Sequence, residues 1–172
     1  IVYDPTGKVL YPAPQVCAFE STASEPAEWT ATRQLEFQST NLLGAAEAYG
    51  VIVQTTTNVS LKAKALQSQA GCLVKAGQPD PAVAILSRLI QDPQFASVAT
   101  DHGALIVPNA QLLLLKLLRD PNHTLFQETA GALAERLANY RDLALSSSQR
   151  RFLMEEMVEV APAAAHFPML AA

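Results

Sequence analysis

Residues 60–91, SLKAKALQSQAGCLVKAGQPDPAVAILSRLIQ, constrain this chain more than any other stretch, because they read as two helices folded back on each other. Leu66, Ala70 and Leu73 recur at helical spacing, with Ala76 one turn later, while Lys62, Gln69 and Lys75 fall largely off that stripe. Ser60 is the expected N-cap, since its hydroxyl can accept from a free amide of the first turn. Gly77 is the expected stop, because glycine enters the left-handed backbone region without a Cβ clash. Asp80-Pro81 then opens a second helix, Asp as cap and proline in the first turn, where its missing N–H loses nothing. Ala82, Ile85, Leu86 and Leu89 make the second stripe, and Arg88 faces water. A connection of about three residues makes the two helices antiparallel neighbours.

Ala70 and Ala82 fall near the expected helix crossing, where small side chains allow close approach. The pattern Ala70, Leu73, Gly77, Ala82, Leu86, Leu89 resembles a tetratricopeptide (TPR) repeat, and Pro93 lies within one residue of that repeat's closing proline. The alternative is an ordinary helical hairpin of any all-α protein. A weaker copy comes before it. Ser24 with Pro26 opens a helix carrying Trp29, Arg33, Leu35 and Phe37, and Thr40-Asn41 breaks it. A second helix over about 42–55, capped by Asn41, turns Leu43, Ala45 or Ala46, Tyr49 and Ile52 or Val53 inward. Aligning Ala45 with Ala82 sets Tyr49 on Leu86 and Trp29 on the repeat's first aromatic position, at an offset of about 37 residues against the ~34 of the repeat. Arg33 and Glu36 depart from the pattern, which wants apolar residues there.

The N-terminal IVYDPTGKVLYP alternates strand-prone residues with an Asp4-Pro5-Thr6-Gly7 turn, and predicts a β-hairpin arm followed by a linker with Pro12 and Pro14. Past an irregular link over 92–107, Pro108 to Arg119 is a leucine-rich helix, apolar nearly all round and therefore expected to be central. Asp120-Pro121-Asn122 is a turn. Thr124 and Gln127 have capping-box spacing, and Phe126, Ala130, Leu133, Leu137 and Tyr140 run down a helix to about 143. Ser147 or Ser148 caps a last helix with Phe152, Met154, Met157 and Val158 apolar and Glu155, Glu156 and Glu159 exposed. The tail over 161–172 is rich in Ala and Pro. The expected fold is all-α: TPR-like antiparallel helical hairpins stacked as a short solenoid over residues 23–172, with a short N-terminal β-hairpin arm and linker over residues 1–22.

Composition narrows the function classes. Of the 172 residues 49% are apolar and 16% charged, so the chain can bury a core. A net charge of −4 without a basic stripe gives no case for nucleic acid. The run of leucines at 112–115 is interrupted by Lys116, so no membrane insertion by the chain itself is expected. The chain starts on Ile with no signal-peptide pattern, and the expectation is an excised piece of something longer. Cys17 and Cys72 allow one disulfide at most and are expected as free thiols, with Cys72 buried as a small apolar residue.

No catalytic, metal-binding or cofactor-binding set stands out. His102, His123 and His166 fall in separate loops without a partner at ligand spacing. The sequence contains no G-x-S-x-G, no P-loop and no G-x-G-x-x-G. Glu155, Glu156 and Glu159 read as a solvated face with an Arg151–Glu155 pair, and Ser146-Ser147-Ser148 as a loop and cap. Asn58-Val59-Ser60 and Asn122-His123-Thr124 match the glycosylation tripeptide, but Ser60 and Thr124 already serve as caps. Trp29 reads as packing ahead of a ligand platform. What remains is a groove lined by the first helices of the hairpins. It takes Thr30, Gln34 and Gln38, with Phe37, from the first pair, and Lys64, Gln67 and Lys75, with Val74, from the second. That set is polar without strong charge and suits a peptide segment, a protein or a small polar ligand.

The order of features, YDPTGKVLYP, then LEFQSTNLLGAAEAY and ALQSQAGCLVKAGQPDPAVAIL, then PNAQLLLLKLL and SSSQRRFLMEE, resembles the extracytoplasmic (periplasmic) sensor region of bacterial membrane-bound sensor histidine kinases. The resemblance implies a non-catalytic sensing domain of a two-component signal-transduction receptor, held in an inner-membrane protein and able to form a homodimer through the parent receptor. Ligand binding would repack helices and pass the change to flanking membrane segments. The kinase's phosphoacceptor helix and nucleotide boxes have no counterpart here, so no catalytic residue carries over. The other reading is a stand-alone TPR-like protein–protein interaction scaffold, with a cytoplasmic location open to it.

Overall fold

The computed structural model describes residues 2–3, 9–11, 26–38 and 41–167. Seven helices account for most of them: α1 Ala27–Gln38, α2 Leu42–Thr55, α3 Val59–Lys75, α4 Pro79–Gln91, α5 Ile106–Leu118, α6 Thr124–Ala138 and α7 Ser147–Val160. The expected N-terminal arm and linker fall largely outside the described residues. Two backbone segments there, β1 Val2–Tyr3 and β2 Val9–Tyr11, run antiparallel. The arm's turn, its side chains, Cys17 and Ser24 lie outside.

The helix ends follow local chemistry, and several differ from the sequence expectation. Asn41 caps α2 as expected, its side-chain oxygen accepting from the Gly44 N–H at 3.0 Å. The α3 cap is Asn58 rather than Ser60, accepting from the Leu61 N–H at 3.0 Å. Asn caps as well as Ser does, and the earlier residue gains an extra half turn of helix. Gly77 ends α3 in the left-handed region, φ 73°. Its N–H donates to the Val74 carbonyl at 3.0 Å and the Gln78 N–H to that of Leu73 at 2.9 Å, a Schellman closure. Asp80 is not the cap of α4. Pro79 takes the first position, so Asp80 sits inside the first turn, where its carboxylate complements the helix dipole.

The helix expected from Pro108 starts at Ile106, which leaves Pro108 in the first turn, where no N–H is needed. The Thr124–Gln127 capping box is replaced by His123, whose Nδ1 accepts from the Leu125 N–H at 3.2 Å. The same helix stops at Ala138 and not near 143, leaving Tyr140 beyond it and exposed. Carbonyls of its last turn, those of Arg136 and Leu137, accept from the Arg150 guanidinium of α7. Ser146, not Ser147 or Ser148, caps α7, its hydroxyl accepting from the Gln149 N–H at 3.3 Å.

Each helix packs on the next one in the chain, and α5 also touches α3 and α7. α3 lies against both α2 and α4, so its buried positions, Ala63, Ala65, Leu66, Ala70 and Cys72, spread wider than one stripe. Ala70 and Ala82 are both fully buried, as expected of residues at a close crossing. The core has two parts. One gathers Trp29, Tyr49, Leu66, Leu86, Phe95, Ile106 and Leu114; the other gathers Leu105, Leu112, Leu115, Leu133, Leu153 and Met157. α5 supplies both, which is why its sequence is apolar nearly all round. The irregular link before it is also structural: a short 3-10 turn over Pro93–Phe95 buries the Phe95 ring, and Ala99 pairs with Leu105 across an antiparallel bridge.

Candidate functional site

α5 and α7 do not close fully on each other, and the loop between Ala99 and Leu105 covers one end of the gap. The result is an open cleft of about 460 Å³. Asn109, Leu113 and Lys116 share one face of α5, at i, i+4 and i+7, and Leu112 forms the floor beside them. α7 contributes Ser148, Gln149 and Phe152, and its cap Ser146 also reaches the cleft. His102 and Ala104 come from the loop. Leucine and phenylalanine carbons make the apolar part, while the polar part contains two basic residues and no carboxylate.

Gln149 holds this geometry. Its side-chain Oε1 accepts from the Leu105 N–H at 2.8 Å, and its Nε2 donates to the Leu105 carbonyl at 2.8 Å. The same Nε2 donates to Asn109 Oδ1 at 3.0 Å. One buried amide thus ties α7, the loop and α5 together, and every polar atom it carries is satisfied, which is the condition for keeping it buried. Lys116 and Glu156 form an ion pair that links α5 to α7 farther along. Asp101, next to His102, is ion-paired to Lys64, whose ammonium holds the carboxyl below its usual range.

A second, smaller pocket of about 270 Å³ lies where the start of α1 meets the end of α2, with Trp29, Ile52, Thr55 and Leu61 on its walls.

The six residues expected to line a groove lie on α1 and α3. Thr30 and Gln34 are exposed on α1, and Gln38 ends that helix with its side chain outside the described residues. Gln67 is half-buried on α3. Lys64 is bound to Asp101, and Lys75 donates to Glu36 Oε1 at 2.8 Å, with its ammonium 5.6 Å from the Phe37 ring centroid. None of the five with described side chains lines the cleft between α5 and α7.

Lys75 belongs to a clamp across three helices. Glu36 of α1 also accepts from the Tyr49 hydroxyl of α2 at 3.0 Å, and the Tyr49 ring meets Trp29 edge-on, centroids 5.2 Å apart. Cys72 of α3 is a free, buried thiol, as expected of it. Burial, and then the Glu36 charge, push that thiol from its ordinary 9.0 up to about 11. The Tyr49 hydroxyl is raised for the same two reasons in the same order.

Both groups ionise to anions, so the folded chain keeps protons that the unfolded chain has lost. The stability linked to Cys72 is complete below pH 9.0 and is lost as pH rises through about 11. The urea midpoint should therefore fall between about pH 8 and about pH 11, and fall less steeply in Cys72→Ala. Identical slopes in the two proteins would remove Cys72 as a cause.

The cleft residues left faint traces in the sequence. Phe152 interrupts the face that carries Glu156 and Glu159, which is unusual for a merely solvated stripe. Asn109 and Lys116 share a face of α5 with Leu113. Gln149 left no trace, because its partner Leu105 lies 44 residues away.

Among the described residues, no group of three or more His, Cys, Asp or Glu side chains is placed to hold a metal ion. No helix among them is long and apolar enough to cross a membrane. No protein-family model, curated protein or solved structure matches this chain.

Proposed function

We propose that the chain is a non-catalytic binding module of stacked, TPR-like helical hairpins that seats a short peptide segment in the cleft between α5 and α7. The observation that carries this reading is the cleft itself. Its apolar floor at Leu112, Leu113 and Phe152 lies beside a polar rim, and the Gln149 hydrogen bonds tie its walls together. Its volume is within the ~300–1,000 Å³ typical of ligand sites. Phe152 supports the reading further, since it stays 49% exposed at the cleft while the neighbouring Leu153 is fully buried. An aromatic left at a cleft edge, rather than folded into the core, is the type of anchor that binding surfaces use.

Selection of short random peptides against the full chain tests this. Peptides enriched on the wild-type protein should bind Phe152→Ala about tenfold more weakly. Equal affinity would sink the assignment of the cleft.

The sensor reading extends the same site. Gln149 joins α7 to α5 and to the loop, so a segment wedged in the cleft would shift α7 against α5, a repacking that a receptor could pass on. The resemblance to periplasmic sensor regions of histidine kinases supports placing the module in such a receptor. The parent reading frame tests it: apolar segments of about 20 residues on both sides support a receptor, and their absence leaves the stand-alone interaction scaffold.

A further inference from the structure

Given peptide binding in the cleft, on which this inference rests, the orientation of one amide says which peptides fit. The backbone of Leu105 offers an N–H that only donates and a carbonyl that only accepts. Gln149 meets both at 2.8 Å, so its Oε1 must face the N–H and its Nε2 the carbonyl. The other hydrogen of that nitrogen goes to Asn109 at 3.0 Å, which fixes the Asn109 atom there as Oδ1. The Nδ2 of Asn109 is thereby turned away from Gln149, on a residue that lines the cleft, and no hydrogen bond among the described residues uses it. Backbone chemistry thus sets the polarity of a side chain two hydrogen bonds away.

The surroundings of that nitrogen have the same sense. Lys116 and His102 line the cleft with Asn109, and no carboxylate does. Asp101 is ion-paired to Lys64, and Lys116 shares its charge with Glu156. The cleft lining thus has no carboxylate, in a chain of net charge −4.

We propose that the cleft selects peptide segments carrying a carboxylate next to an apolar side chain. The carboxylate accepts from Asn109 Nδ2 on the helix face that Asn109 shares with Lys116, and the apolar side chain lies on Leu113 and Phe152. A hydrogen bond to a charged group and a buried apolar anchor are each worth about a factor of ten in affinity.

The test uses the full chain and random peptides prepared in two forms, C-terminally amidated and with a free C-terminus. Enrichment of Asp or Glu beside Leu, Phe or Met in the amidated form shows that a side-chain carboxylate is read. Enrichment confined to the free form shows that the chain terminus is read. In Asn109→Asp one oxygen still accepts from Gln149, while the donor nitrogen is replaced by an oxygen of an anion. That variant should keep the wild-type urea midpoint and bind the enriched peptides at least about tenfold more weakly. Lys116→Gln should weaken the same peptides; because it also breaks the pair with Glu156, Glu156→Gln is its control, and that variant, with the ammonium released, should bind them at least as well as wild type. Enriched peptides without an acidic group, or acidic peptides bound equally by wild type, Asn109→Asp and Lys116→Gln, overturn the inference and leave peptide binding intact. No enrichment on wild type over Phe152→Ala overturns the peptide-binding reading and this inference with it.

Discussion

Replacing Arg150 by methionine is expected to destabilise the chain by about 3 kcal/mol, seen as a lower urea midpoint at an unchanged slope. Arg150 is only 7% exposed, and its guanidinium faces the end of α6. It donates to the carbonyls of Leu137 at 2.6 Å, Asp142 at 2.8 Å and Arg136 at 3.2 Å, and sits 5.2 Å from the Tyr140 ring centroid. The Arg136 and Leu137 carbonyls are at the C-terminal end of α6, where the backbone has acceptors without intrahelical partners and the dipole favours a cation, and that of Asp142 is in the loop beyond it. Methionine would fill similar volume and leave the Leu137 and Asp142 carbonyls without donors, while that of Arg136 keeps the Asn139 N–H at 3.2 Å. Arg150→Lys keeps the charge but loses the planar fork, so it should lie between wild type and methionine, at a cost of about 1–2 kcal/mol. A methionine variant within about 0.5 kcal/mol of wild type would show that water satisfies those carbonyls equally well.

The second large effect concerns α5. Leu114→Ala and Leu115→Ala should each cost about 3 kcal/mol, the middle of the range for a buried leucine cut to alanine. The two residues are adjacent and both fully buried, yet Leu114 packs into the core that contains Trp29 and Leu115 into the core that contains Leu153. Trp29 is the one tryptophan of the chain, so its fluorescence reports the first core alone. If α5 makes the cores one cooperative unit, Leu115→Ala will lower the fluorescence midpoint by as much as the far-ultraviolet circular dichroism midpoint. A fluorescence midpoint that stays at the wild-type value, while dichroism moves, would mean that the halves unfold separately.

Much of the helical framework was legible in the sequence because it is written locally. Leu66, Ala70, Gly77, Ala82 and Leu86 mark two helices and the stop between them through spacing that needs no distant partner. The leucine-rich stretch after Pro108 announced a helix touched on several sides, and α5 is in contact with α3, α4, α6 and α7. The errors lie at helix ends, where residues of similar capping ability compete within a turn. Asn58 stands two residues before Ser60, and Ser146 one before Ser147. The candidate site was much less legible. Lys75 was assigned to a groove because Glu36, 39 residues earlier, was not visible as its partner. Asn109 and Gln149 become a cleft wall only once Leu105 is placed beside them. Such a site is a product of long-range packing, and one sequence records only the residue types that packing will use.

The helices pack mainly against their neighbours in the chain. That local connectivity sets the time course of folding. Contacts between successive helices close short loops, and the entropy of closing a loop grows with its length. Chains built this way reach the folded state in about milliseconds or less, far faster than folds that must first join distant strands. The slow step expected is then the arrival of the far-reaching ties, among them Gln149 on Leu105, Lys116 on Glu156 and Lys75 on Glu36. A growing chain would hold α2 to α4 in place before α7 has been made, and the cleft would be the last part to take shape.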